Sequence, residues 1–191
     1  MKRIVLDANV LFSNSVRGLF LWMAWRDVCE IVWSKELWEE VFRNYSQDPV
    51  KEAAFRQQIE AVVFANFSSF MRTLEPGYPL LGLPDENDEH VVALARQEKV
   101  ETIVTFNLKD FPDRIVKGIK CVHPDSFLCG LFGTHADEMK TAVREHLQFL
   151  ANSKPKKADY FESLRRANVK EFAAKLEAED ATDNLFPEVW N

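Results

Sequence analysis

The chain has 191 residues, of which 47% are hydrophobic and 12% aromatic, and its formal net charge is −6. This is enough to bury the core of one domain, with or without an appendage. The three cysteines lack C-x-x-C or Cys/His zinc spacing, which argues against a disulfide framework or a structural zinc site. The first residues are too poor in apolar side chains for a signal peptide, and residues 19–25 are far too short a run to span a membrane. We therefore predict a cytoplasmic protein with no membrane partner.

The first strand of the chain raises the possibility of a site. Residues 4–6 read as a short buried strand, which would carry Asp7 to its carboxyl end. Ligands of open α/β sheets bind at that end of the strands. Asp7 alone proves nothing, so other carboxylates must be brought to the same place by the rest of the chain.

Strands and helices then alternate along the chain. We predict a helix over 15–26, a strand over 29–33, a helix capped by Ser34 that ends near Tyr45, and further helices over 50–71. A Pro/Gly-rich loop, EPGYPLLGLPDEND, precedes a helix over 89–99, strands over 102–106 and 119–122, and a helix from Pro124. This order predicts an α/β fold with a central, mostly parallel sheet flanked by helices.

The α/β part is expected to end near Gly130 and Gly133, because the residues after these glycines read as helices only. We therefore predict a domain over residues 1–131 and an all-helical C-terminal extension over residues 134–191. The extension contains a basic stretch in an otherwise acidic chain, in which Arg165, Arg166 and Lys170 could contact the phosphates of a nucleic acid. A solvated helical face is the equally weighted alternative.

Two glutamates in the helix after Ser34 compete for one role. Its apolar stripe leaves Glu39 and Glu40 on opposite flanks, and each could reach toward a neighbouring element. Geometry alone does not choose between them, and a solvated surface charge is the commoner fate of any glutamate.

Asp88 is more informative, because it is in phase with the apolar positions Val91, Val92 and Ala95 that must face the sheet. An ionised group in that position needs a partner. Alternatively, Asp85 or Asp88 only caps the helix, and capping can coexist with metal binding.

A polar pair comes after the strand over 102–106, where Asn107 and Asp110 could simply form a turn. With Asp7, however, the strand ends and the two helices would converge on one crevice. Several carboxylates there would repel each other unless a cation joined them, which predicts a divalent metal.

Four segments, in this order and at this spacing, resemble the PIN-domain nucleases, in particular the VapC-like toxins: LDANVLF, SKELWEEV, DENDEHVVALA and IVTFNLKDFP. The resemblance extends over about residues 3 to 128. The tail ANSKPKKADYFESLRRANVKEFAAKL resembles the helical extension of one subgroup of these proteins.

The resemblance implies a ribonuclease that hydrolyses RNA phosphodiester bonds with Mg²⁺ or Mn²⁺ held by carboxylates. It also selects Glu40 over Glu39. The implied catalytic and metal-binding residues are Asp7, Glu40, Asp88 and, as the fourth, Asn107 or Asp110, with Asn9, Ser34 and Thr105 as polar support. The neutral Asn107 puts a tightly bound second metal ion in doubt, so the number of metals stays open.

The resemblance further implies a cognate antitoxin, within a type II toxin-antitoxin system, and a homodimer.

Two other classes of protein fit the sequence less well. A haloacid-dehalogenase phosphatase needs a second Asp where Asn9 stands, and a receiver domain needs an Asp pair near its start that this sequence lacks. A catalytically inactive PIN-like module that binds RNA or protein is the remaining alternative. His90, His123, His135 and His146 have no metal-binding spacing, so we expect them to be structural or surface residues.

Overall fold

The first strand, β1 (Lys2–Leu6), forms the centre of the sheet, and Ile4, Val5 and Leu6 are completely buried in it. The computed structural model describes residues 1–150 and 157–183. The other strands are β2 (Cys29–Ser34), β3 (Met71–Arg72), β4 (Thr102–Val104) and β5 (Lys120–Val122).

The sheet has five strands in the order β3-β2-β1-β4-β5. The pairs β1–β4, β2–β3 and β4–β5 are parallel, and Leu6 lies opposite Val104. Parallel strands need crossover connections, which α-helices supply between β1 and β4, whereas the connection from β4 to β5 contains the 3₁₀ turn Leu108–Asp110 and no α-helix. The predicted α/β fold with a mostly parallel sheet is therefore confirmed.

The described residues form two compact units, and each is described here by itself. The sheet unit comprises Arg3–Phe12 and Glu30–Val122, and the helical unit comprises Met1–Lys2, Ser13–Cys29 and the described residues from His123 onward. The helices of the sheet unit are α1 (Ala8–Phe12), α3 (Lys35–Tyr45), α4 (Pro49–Ile59), α5 (Ala65–Phe67) and α6 (Glu89–Gln97). Those of the helical unit are α2 (Asn14–Trp25), α7 (Pro124–Phe132), α8 (Ala136–Leu150), α9 (Lys157–Arg166) and α10 (Lys170–Asp183).

Three features of the sheet unit differ from the sequence prediction. The helices expected over 50–71 are interrupted by a π-helical turn, Glu60–Phe64, and end at a 3₁₀ turn, Ser68–Phe70. Met71 then belongs to β3 rather than to a helix, because it pairs with Trp33 of β2. In addition, α1 comes after β1 with a single residue between them, which the sequence pattern did not indicate.

In the helical unit, α2 packs against α8, and α10 packs against α7 and α9. Asp125 of α7 caps α10, because its carboxylate accepts hydrogen bonds from the backbone N–H groups of Glu171 (2.9 Å) and Phe172 (2.8 Å). Gly18 of α2 lies against the His146 ring, where a side chain would clash. The described part of the predicted extension is helical, whereas 151–156 and 184–191 lie outside the described residues. No helix in the part of the chain that the structure describes is long and apolar enough to cross a membrane.

Candidate active site

Asp7 lies where β1 ends and is only 2% exposed. Its Oδ2 accepts hydrogen bonds from the Thr105 hydroxyl (2.6 Å) and from the Asn9 side-chain amide (2.5 Å). The parallel pairing of β1 with β4 explains the first contact, because Leu6 and Val104 are partners and the next residue of each strand comes to the same edge. These bonds hold the Asp7 carboxylate in one orientation.

The three predicted support residues act on different parts of the site. Asn9 donates to Thr105 Oγ1 (3.1 Å) and accepts from the backbone N–H of Phe106 (3.1 Å), so it ties the ends of β1 and β4 together. Ser34 instead caps α3, since its hydroxyl oxygen accepts from the Leu37 N–H (3.4 Å). Ser34 thus supports the helix that carries Glu40 and, in this structure, does not bond to Asp7.

Glu39 and Glu40 have different surroundings in the structure. The Glu39 carboxylate forms two hydrogen bonds with the Arg56 guanidinium of α4, at 2.7 and 2.9 Å. Glu40, on the other flank of α3, lies close enough to Asp7 for the charge of Asp7 to raise the pKa of Glu40. Of the two, therefore, Glu40 faces the predicted crevice.

Asp88 is 8% exposed and has no capping hydrogen bond to the backbone. The capping role falls to Asp85, whose carboxylate accepts from the Asn87 N–H (2.9 Å) at the start of the 3₁₀ turn Glu86–Asp88. The alternative explanation of Asp88 as a cap is therefore wrong, whereas it holds for Asp85. The Asp88 carboxylate remains available to the crevice.

Asn107 and Asp110 lie in a turn and are also linked to the acids. The Asn107 side-chain amide donates to Asp110 Oδ2, and the Asn107 backbone N–H donates to Thr105 Oγ1 (2.9 Å). The Asp110 carboxylate raises the pKa of both Asp7 and Asp88. The turn thus presents Asp110 to the other acids, with Asn107 holding it.

The pKa values show how strongly these carboxylates resist ionisation together. Burial raises the pKa of Asp88 to about 7, with repulsion from Asp7, Asp85, Glu40 and Asp110 adding to it. Burial also raises the pKa of Glu40 to about 7, with repulsion from Asp7 and Asp85. The pKa of Asp7 is raised by burial, against the opposing hydrogen bonds from Thr105 and Asn9. Buried acids that repel one another in this way fit a site that a cation completes.

Two further observations concern whether these side chains could bind a cation. Glu40 Oε2 is buried and has no hydrogen-bond partner, so it is a free acceptor. Among residues 1–150 and 157–183, however, no three His, Cys, Asp or Glu side chains lie close enough together to bind one ion. The oxygen-rich donor set fits a hard divalent cation in chemistry, and the acids must approach one another to bind it.

His90, which we expected to be a structural or surface residue, lies beside Glu40. The His90 Nε2 atom lies 3.5 Å from Glu40 Oε2, and His90 Nδ1 is 2.6 Å from the backbone carbonyl oxygen of Asn87. Burial lowers the pKa of His90, which favours the neutral form of the ring.

The predicted RNA-contacting residues belong to the helical unit, and two of them have acidic partners. Arg165 is ion-paired with Glu162 and Glu177, and Arg166 with Glu162 at 3.2 Å. Lys170 is exposed at the start of α10. Their contact with RNA stays a prediction.

Comparison with known proteins bears on the family. The family model described as PIN domain matches residues 3–109, which is more than half of the chain. The family model described as VapC50 C-terminal domain matches residues 124–178. A relative from Mycobacterium tuberculosis (strain ATCC 25618 / H37Rv), named "Putative ribonuclease VapC50", is 43% identical over 58 residues. That similarity covers 29% of this chain and only 34% of the relative's length. No solved structure matches significantly. The fold, the matched residues and the order of the acids lead to one conclusion: the chain belongs to the PIN domain family, in its VapC-like branch with a C-terminal extension.

Proposed function

We propose that this protein is a divalent-metal-dependent endoribonuclease and the toxin of a type II toxin-antitoxin pair. The observation that carries the proposal is the mutual repulsion of Asp7, Glu40, Asp88 and Asp110 at one end of the sheet. The matched PIN domain model and the name of the relative support the assignment to RNA.

In this proposal, Mg²⁺ or Mn²⁺ is held by Asp7, Glu40 and Asp88, with Asp110 or Asn107 as the fourth ligand. When bound, such an ion activates water and stabilises the negative charge that develops on the phosphate. Thr105 and Asn9 orient Asp7 and favour its ionised form through their hydrogen bonds. Asn107 orients Asp110 through the hydrogen bond from its side-chain amide. No side-chain nucleophile is required.

The first test is cleavage of RNA by the purified chain, freed of any partner. We expect single-stranded or structured RNA to be cut with Mg²⁺ or Mn²⁺ and cutting to stop with a chelator. Asp7→Asn removes the best-buried ligand and should lower the rate at least ~100-fold, the order of loss for a missing charge-stabilising group. Gel analysis of end-labelled RNA measures both effects.

Because Asn keeps the shape of Asp and an acceptor oxygen for Thr105, the Asp7→Asn variant should retain the parent's circular dichroism spectrum. Full activity in this folded variant would show that the assigned site is wrong. RNA that is bound but never cut, with either metal, would favour the alternative of an inactive PIN-like binding module.

We further propose an antitoxin partner whose segment covers the acids, a homodimer, and a cytoplasmic location. Co-purification with a small DNA-binding protein from the native cell would support the antitoxin. A freely active, non-toxic monomer would contradict both the antitoxin and the dimer. The division into a domain over 1–131 and an extension over 134–191 likewise stays a proposal.

The extension gives a separate prediction. Replacing Arg165 and Arg166 by Ala should weaken RNA binding to a similar extent for all sequences and flatten its salt dependence, because phosphate contacts carry no base information. Filter binding across a salt series measures both. Lys170→Ala, at an exposed position of the same unit, is the third substitution and should add to the effect. Unchanged RNA affinity with weaker antitoxin binding would identify the surface as a partner site instead.

A further inference from the structure

His90 is a buried histidine with one nitrogen fixed and the other unused. It is 9% exposed and lies in the first turn of α6, two positions after Asp88. Its Nδ1 is 2.6 Å from the Asn87 carbonyl oxygen, which can only accept, so Nδ1 carries the proton. In the neutral ring, Nε2 therefore presents a lone pair.

That lone pair faces another acceptor. His90 Nε2 lies 3.5 Å from Glu40 Oε2, and both atoms are buried without a hydrogen-bond partner. When Glu40 is ionised, as a metal ligand must be, two acceptors face each other with no donor between them. Such an arrangement is unfavourable unless a cation interacts with both.

The spacing and the chemistry agree with a shared ion. Two ligand atoms about 2.1 Å from one ion lie ~3.0–3.4 Å apart, close to the separation of these two atoms. A histidine whose Nδ1–H is fixed by a backbone carbonyl and whose Nε2 is free has the usual hydrogen-bonding arrangement of a metal ligand. Without an ion, only a protonated Glu40 carboxyl could donate to Nε2.

We propose that His90 Nε2 is a metal ligand beside Glu40, and that this nitrogen makes the site prefer Mn²⁺ over Mg²⁺. The inference rests on the proposed function and deepens it, because it specifies the class of ion. Imidazole nitrogen suits transition-metal ions, whereas Mg²⁺ prefers oxygen ligands. Removing the nitrogen should therefore lower the affinity for Mn²⁺ much more than the affinity for Mg²⁺.

The test uses Mn²⁺ as a spectroscopic probe of the full-length chain. Pulsed electron paramagnetic resonance of the Mn²⁺-loaded protein should show the coupling of an imidazole nitrogen, and His90→Gln should abolish it. His90→Ala should lower Mn²⁺ affinity at least about tenfold and Mg²⁺ affinity less than about threefold, in line with the ligand preferences of the two ions. His135→Gln, at an exposed histidine, is the matched control and should retain the coupling.

Each outcome decides the inference. Mn²⁺ binding to the parent without nitrogen coupling overturns it, even if RNA cleavage depends on metal as proposed. Coupling that persists in His90→Gln also overturns it, since another histidine would be the ligand. If neither ion binds and RNA is not cut, the proposed function itself fails. The parent spectrum can overturn the inference without any variant, whereas assigning a nitrogen coupling to His90 requires the His90→Gln spectrum.

Discussion

Glu40→Gln is expected to lower metal-dependent RNA cleavage at least ~100-fold, whereas Glu39→Gln on the same helix should stay within about threefold of the parent. Glutamine keeps the size of the side chain but removes the charge that a cation needs. The two residues are neighbours in sequence, so any general effect on α3 would appear in both variants. Only Glu40 lies close to Asp7 and presents a free, buried acceptor oxygen.

The two variants should also differ in stability. Glu39→Gln breaks the pair with Arg56, which is partly exposed and keeps Glu52 as a partner, so we expect a loss of at most ~1 kcal/mol. Initial cleavage rates at saturating Mg²⁺, together with thermal unfolding, separate the two effects. Equal loss of activity in both variants would contradict the assignment of Glu40.

The sequence pattern located Asp7 and Asp88 because their signals are local. A hydrophobic run identified the strand that carries Asp7, and helical spacing placed Asp88 on the buried face. Local pattern could not decide whether Glu39 or Glu40 faces the acids, because the answer depends on the contact of Glu39 with Arg56, 17 residues further along the chain. Periodicity within α3 contains no information about that contact, and only the family resemblance favoured Glu40, which the structure places near Asp7.

Other features escaped the sequence because tertiary contacts define them. The two residues of β3 have no periodicity of their own and form a strand only by pairing with β2. The orientation of the His90 ring depends on the 3₁₀ turn that directs the Asn87 carbonyl toward Nδ1, which spacing rules for metal-binding histidines do not describe. Local pattern thus predicts elements and buried acids, whereas partners across the fold decide which polar atoms remain free.

The second large effect concerns Asp88, whose removal should abolish cleavage yet stabilise the metal-free protein. The pKa of Asp88 is raised to about 7 in the folded chain from an ordinary value of 3.8. A raised carboxyl pKa contributes stability that is fully present below pH ~4 and is lost as the pH rises to about 7. Above that range the folded protein must contain a buried, repelled charge. Asp88→Asn removes this charge and so should be the more stable protein at pH 8 in a chelator.

We expect the Tm of Asp88→Asn at pH 8 in a chelator to exceed that of the parent by about 2–4 °C, the shift that ~1 kcal/mol produces in a chain of this size. The difference should shrink as the pH falls from 8 toward 4, because the Asp88 carboxyl of the folded parent takes up a proton over this range. With Mg²⁺ or Mn²⁺ the order should reverse, because an ion that binds only the folded parent stabilises it by mass action. Asp113→Asn, at an exposed position of the sheet unit, is the control and should behave like the parent. A variant less stable than the parent in the chelator at every pH would mean that Asp88 stabilises the fold, and its assignment as a repelled metal ligand would be wrong.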